Sequence, residues 1–313
     1  MKHITYNHTS HLKGYTKNGA ILQEILSTFI ISLIFNIKII YHETWHECLF
    51  ITKKSFDKYT TKPLDKYDYI INITEYLKWD SISFNDLMNI KKIIKEAKEN
   101  TLIILNNVCL INPSYLYKWY KEKLLVKNYY NESFLPLLRN LYFYDHNNKQ
   151  IEQFYIHIRN GDIGKRHYDE GLNLEYYTYI IKLINNISNI KINIMYEGEN
   201  KKKTTLEHKH CYTNNRQGYN HLWVRKLGEL PNVILNEGDL DNINQHINEL
   251  CRAKYILLSP STFSYYSGMI SNGLKFIDIK SINRYQNILK NTIDLPNFIV
   301  YDDFKNVLNY LNA

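Results

Sequence analysis

A chain of 313 residues, 44% hydrophobic and 22% charged, has the composition of a folded soluble protein and is long enough for two cores. Its formal charge of +8 comes from lysines spread along the chain, with the densest run at Lys201-Lys202-Lys203, and no clustered basic stripe interleaved with aromatics appears. Four cysteines at positions 48, 109, 211 and 251 form no Cys-x-x-Cys pair, which sets aside the usual zinc spacings and fits reduced thiols.

The first element in chain order is a helix over Ala20–Phe35, within which Ile25–Ile37 is the most apolar stretch of the chain. That stretch is too short to span a bilayer, and it lacks the basic start and cleavage site of a signal peptide. A soluble, untargeted or cytoplasmic protein is expected. Asn36–Glu43 and Lys66–Ile73 read as strands. Ser83–Asn100 reads as a helix opened by the capping pattern Ser83-x-x-Asp86, and Thr101–Asn107 as an apolar strand. Helices around Pro113–Leu125 and Asn131–Tyr142 complete this half, and the polar stretch Tyr144–Gln150 reads as a linker.

The alternation is cleaner in the second half. Phe154–Arg159 is a strand, Leu174–Ile187 a helix and Ile190–Glu197 a strand. After a polar region that resists assignment, His221–Leu230 is a short helix and Asn232–Glu237 a strand. A helix over Leu240–Ala253, a strand over Lys254–Pro260, a helix over Thr262–Ser271 and a strand over Leu274–Lys280 follow. Phe298–Ala313 adds a strand-like piece and a last helix. The pattern predicts an α/β protein with two Rossmann-like, doubly wound parallel sheets. The expected divisions are 1–150, 151–285, and a strand-helix tail over 286–313.

Two stretches carry chemistry. In Phe154–Arg159, apolar residues alternate with Tyr155, His157 and Arg159 until Asn160-Gly161-Asp162 breaks the strand as a turn. An arginine at a strand's carboxyl end can present its planar fork to phosphate oxygens, and Asp162 can orient His157, Arg159 or the turn amides; taken alone, the stretch is more simply a structural Arg159–Asp162 ion pair at a tight turn. In the second stretch a buried strand ends at Ser259-Pro260 and a helix begins at Ser261 or Thr262. Ser and Thr there are ordinary helix caps, or else hydroxyls that join the free amides of a helix start in cradling an anion. In doubly wound sheets ligands bind beyond the carboxyl ends of the strands, where both stretches lie.

His157-Ile158-Arg159-Asn160-Gly161-Asp162 resembles the His-x-Arg-Arg-Gly-Asp motif of the alpha-1,2-fucosyltransferases, whose core is shared by alpha-1,6- and protein O-fucosyltransferases. Leu174–Ile181 looks like the helix that follows that motif. Asn248–Gly268 is similar to the family's Cys-Lys-His, strand, Ser-x-Ser-Ser-Phe-Ser-Trp-Trp segment, with Tyr265-Tyr266 in place of the tryptophans. The match covers most of residues 151–280. Asn160 stands where the motif's second arginine would be. The family's Gly-x-Gly-Asn-Gln turn before the first long helix is represented by a stretch containing Gly14, Asn18 and Gly19.

The resemblance implies two Rossmann-like domains facing each other across a cleft, the GT-B architecture, with the acceptor on the first-domain side. It implies transfer of L-fucose from GDP-fucose to a glycan hydroxyl, with inversion and without metal; the donor is a substrate, and no cofactor is implied. Asp239-x-Asp241 is the nearest approach to a metal motif and reads more simply as a helix cap. Donor binding falls on His157, Arg159, Asp162, Ser259, Ser261, Thr262, Phe263 and Ser264, with Asn18 and Gly19 from the first half. For Phe263, core packing is the simpler role. Arg159 would stabilise the departing GDP, and His167, Asp169 and Glu170 are the candidates for a general base, unless their loop is merely solvated. Two other classes have some support. The altered first turn and Asn160 fit an inactive nucleotide-sugar-binding fold. The net charge and 28 tyrosines fit a basic nucleic-acid binder that stacks on bases. The tyrosines, however, belong to a general bias towards residues with A/T-rich codons, so no nucleic-acid partner is expected.

Overall fold

A computed structural model describes residues 2–6, 28, 32, 35–40, 66–73, 84–105, 150–159, 171–197, 222–238, 243–280 and 297–311. The chain divides into two compact units, Met1–His146 and Asn147–Ala313. Each contains one parallel sheet among the described residues, so the protein is α/β.

In the first unit the strands are β1 (His3–Tyr6), β2 (Lys38–Ile39), β3 (Tyr69–Asn72) and β4 (Thr101–Leu105), with helix α1 (Phe84–Glu96) between the last two. Their order is β2-β1-β4-β3, and all three pairings are parallel. The central strands are buried on both faces, as in a sheet covered on both sides: Ile4, Leu102 and Ile103 are fully buried, and so is the polar Thr5, whose hydroxyl donates to Ile40 O. Ile40, Tyr67, Leu102 and Ile104 form one core cluster. Burial pushes the Tyr67 phenol up to about 12. Helix α1 buries Ile90 and Ile94, one turn apart, and exposes the lysines between them. It leads into β4 through Asn100, which takes a left-handed φ of 57° and donates to Lys66 O and Asp68 Oδ2. Of the long apolar helix expected over Ala20–Phe35, Thr28, Ser32 and Phe35 are described: the first two are helical and buried, and Phe35 is half-buried in a turn. Ser83, Gly14, Asn18, Gly19 and the two helices expected between 113 and 142 lie outside the described residues.

The second unit follows the expected order element by element. Its strands are β5 (Ile151–Ile158), β6 (Ile192–Glu197), β7 (Val233–Gly238), β8 (Ala253–Leu257), β9 (Leu274–Asp278) and β10 (Phe298–Tyr301). Its helices are α2 (Leu174–Ile187), α3 (Leu222–Leu227), α4 (Ile243–Arg252) and α5 (Thr262–Ile270), and a 3₁₀ helix follows over Phe304–Leu311. The sheet is wholly parallel in the order β10-β9-β8-β5-β6-β7. Phe154, Ile156 and Ile158 of β5 turn to one face, where α2 contributes Tyr177, Ile180, Ile181 and Ile184 and α3 contributes Val224 and Leu227. The Phe154 ring stacks on Tyr255 and Phe276 and meets Phe304 edge-on. Helices α4 and α5 pack together, and α4 lies against β5 and β8.

Residues 298–311, set apart above as a tail, are built into this unit. Strand β10 pairs with β9 along its whole length, and Phe304 and Val307 lie in the common core. The last helix is 3₁₀ rather than α. Its tighter three-residue repeat brings Phe304 and Val307 onto one side.

Strand order fixes where a ligand crevice opens. From β5 the chain steps outward through β6 to β7, then returns through α4 to β8 on the other flank of β5 and continues outward to β10. Direction therefore reverses between β5 and β8, and the reversal leaves a gap above their carboxyl ends.

Candidate functional site

The two chemistry-bearing stretches meet at that gap. Ile156 pairs with Leu257, so the residues that follow each strand emerge side by side, although they are 102 positions apart in sequence. His157 Nδ1 lies 2.6 Å from Ser259 Oγ. The Arg159 guanidinium donates from Nη1 to Ser261 Oγ at 3.2 Å. The His157 ring leans on Phe263, with centroids 5.3 Å apart and planes tilted by 33°. His157, Arg159 and Phe263 are half-buried.

The turn between β8 and α5 explains how this arrangement holds. Pro260 is flanked by a tight backbone bond from Ser261 N–H to Ser259 C=O at 2.7 Å. The Ser259 N–H donates to Ser264 Oγ at 3.2 Å, and Ser264 is fully buried in the first turn of α5. Ser261 is the N-cap of α5, with extended backbone, but its side chain makes no cap hydrogen bond. An N-cap hydroxyl ordinarily accepts from an amide in the first turn of its helix. Here that oxygen accepts from Arg159 instead. The start of α5 is thereby left without its usual side-chain cap. The positive end of a helix and a guanidinium thus converge, and that combination attracts an anion.

Of the residues expected to bind a donor, His157, Arg159, Ser259, Ser261 and Phe263 come together at this gap. Thr262 is the first residue of α5. Ser264 is fully buried and braces the turn from within. Asp162, His167, Asp169 and Glu170 lie outside the described residues, as do Asn18, Gly19 and the Asp239-x-Asp241 stretch. Among the described residues no cluster of three or more His, Cys, Asp and Glu side chains is placed to hold a metal ion. No helix among them is long and apolar enough to cross a membrane.

A second polar group at the carboxyl edge escaped the sequence reading. Asp278 ends β9 and Tyr301 ends β10, directly paired in register. Tyr301 Oη lies 2.5 Å from Tyr176 Oη in the first turn of α2. Burial raises both phenols well above the ordinary tyrosine range, and the negative charge of Asp278 adds to the rise. The neighbouring Tyr177 is raised for the same two reasons. Asp278 is 2% exposed and accepts from Lys280 N–H at 2.7 Å. A carboxylate at a strand end was the one signal in the sequence; the tyrosines look like core aromatics.

Comparison of the chain with protein-family models, with curated proteins and with solved structures finds no match in any of the three.

Proposed function

We propose that the protein is a glycosyltransferase that moves L-fucose from GDP-fucose to a glycan hydroxyl with inversion, its two units forming the halves of a GT-B enzyme. One observation carries the reading. A guanidinium and a helix start without its side-chain cap meet at the switch point of a doubly wound sheet, a place suited to a diphosphate. The motif resemblance around Arg159 and Ser261 then narrows the diphosphate to that of a GDP-sugar.

The chemistry asks for little more from this half. As the acceptor hydroxyl attacks the anomeric carbon, the bond to GDP breaks and negative charge grows on the β-phosphate. Arg159 and the amides of α5 supply fixed positive potential where that charge develops. Ser261, accepting from Arg159, donates its own proton to a phosphate oxygen. His157 and Phe263 flank the nucleoside. The acceptor proton passes to a carboxylate or imidazole among His167, Asp169 and Glu170.

The test is a thermal-shift series with GDP, UDP and CMP at equal concentration, followed by assay of GDP release from GDP-fucose with and without glycan acceptors. GDP is expected to raise the melting temperature most, because a bound ligand stabilises by mass action. A preference for UDP, or equal responses, would sink the donor assignment. GDP binding without any release from GDP-fucose leaves a binding fold without catalysis.

A further inference from the structure

We propose that Ser259 is a positioning residue, acting on the bound nucleotide only through His157; the inference rests on the reading of this site as a nucleotide-sugar site. A serine at a strand end beside a helix start invites the assumption that it touches phosphate. Its surroundings give it other work. Ser259 is 6% exposed, and all three of its polar groups are engaged inside the turn. Its N–H donates to Ser264 Oγ, its carbonyl accepts from Ser261 N–H, and its hydroxyl meets His157 Nδ1 at 2.6 Å. Its low exposure and its short hydrogen bond turn the hydroxyl towards a half-buried imidazole.

The consequence falls on His157. An imidazole at the penultimate residue of a strand rotates about two bonds and exists as two tautomers, and each costs a ligand contact when it is wrong. Ser259 fixes the ring from one edge while Phe263 limits its tilt from the face, at a centroid distance of 5.3 Å. With Nδ1 engaged by Ser259, the imidazole addresses a ligand through its opposite edge or its face. The ring's rotamer is then set before the ligand arrives, which removes an ordering cost from binding. Ser261, two residues on, has the contrasting role, because Arg159 donates to its oxygen and its proton is left to donate to a phosphate.

The experiment is a coupling cycle with one spectroscopic arm. Calorimetric titration of GDP is carried out on the full chain and on Ser259→Ala, Ser259→Thr, His157→Ala and the double Ser259→Ala/His157→Ala. Loss of one hydrogen bond's worth of orientation predicts that Ser259→Ala weakens GDP by roughly three- to tenfold. Ser259→Thr, which keeps the hydroxyl, restores most of it, and the double variant binds no more weakly than His157→Ala. In parallel, ¹⁵N spectra of the imidazole without ligand show the Nδ1 of His157 shifted by its hydrogen bond in the unmodified protein, and that shift changes in Ser259→Ala. Additive losses in the double variant, or a His157 spectrum indifferent to Ser259→Ala, overturn the proposal. If Ser259→Ala does not fold, Ser259→Cys carries the same comparison, since a thiol of similar size makes a weaker hydrogen bond. If the unmodified protein binds no GDP, the functional reading fails, and the spectra still decide whether Ser259 holds the ring.

Discussion

Two strand ends on one sheet edge carry polar side chains and do opposite things with them. Between β5 and β8, His157 and Arg159 are half-buried, and their partners are serines of a turn. Between β9 and β10, Asp278 and Tyr301 are buried, and the hydroxyls of Tyr301 and Tyr176 meet each other. Tyr176 keeps part of its ring at the surface but turns its hydroxyl inward. The strands at the second place follow one another in a single outward direction. No reversal separates them, and the start of α2 covers the end. Polarity at a strand end is therefore a poor guide to binding by itself; the change of direction in strand order separates the proposed anion site from a polar seal.

Substitutions at the two places are expected to divide cleanly between stability and binding. The largest effect belongs to the seal. Tyr301→Ala removes a buried ring that packs edge-on against Phe304, and it is expected to destabilise the second unit by about 3–5 kcal/mol in chemical denaturation. The folded fraction should bind GDP normally; a matching loss of affinity would merge the two places into one site. Arg159→Ala should do the reverse. It removes a charged donor and lowers GDP affinity by about 1.5–3 kcal/mol in calorimetry, with little change in melting temperature. Should the melting temperature fall and GDP binding persist, Arg159 would be a structural ion-pair partner only.

Raised pH sharpens the comparison. The folded unit holds the Tyr176, Tyr177 and Tyr301 protons more tightly than an unfolded chain does. Their contribution is complete below about pH 10 and is lost as pH climbs beyond it, because the unfolded chain gives up the protons first. Circular dichroism against pH, with tyrosinate absorbance alongside, should show unfolding and phenol ionisation together. Independent ionisation below pH 10 would mean that the cluster is open to water. The smallest effect is Tyr176→Phe, which loses one hydroxyl pair and is expected to cost about 0.5–1.5 kcal/mol while leaving GDP affinity unchanged.

The sequence made much of the second unit readable and little of its pairing. Helix α2 falls where periodicity put it, over Leu174–Ile187, because its apolar positions repeat on one face and Asn173 caps it by accepting from Tyr176 N–H. The strand ends at Arg159 and Ser259 were recognisable as chemistry. That they are neighbours was not, since periodicity reports the faces of an element and says nothing of strand order. The exchange of partners at Ser261 was equally hidden: a serine before a helix reads as a cap whether or not its oxygen is taken by an arginine from another strand. Tyr176, Tyr301 and Asp278 lie in three elements, each ordinary in isolation.

The place of residues 298–311 bears on how this unit folds. Phe304 completes the aromatic cluster around Phe154, so that contact closes a loop of about 150 residues (304 minus 154). Every strand pairing in the sheet is parallel and needs a crossover, which adds further separation between partners. Such a topology has few local contacts to nucleate on and is expected to fold slowly for its size. Until 298–311 dock, one face of Phe154 and Phe276 stays uncovered, and that interval is when the chain is most exposed to aggregation through its unpaired β9 edge.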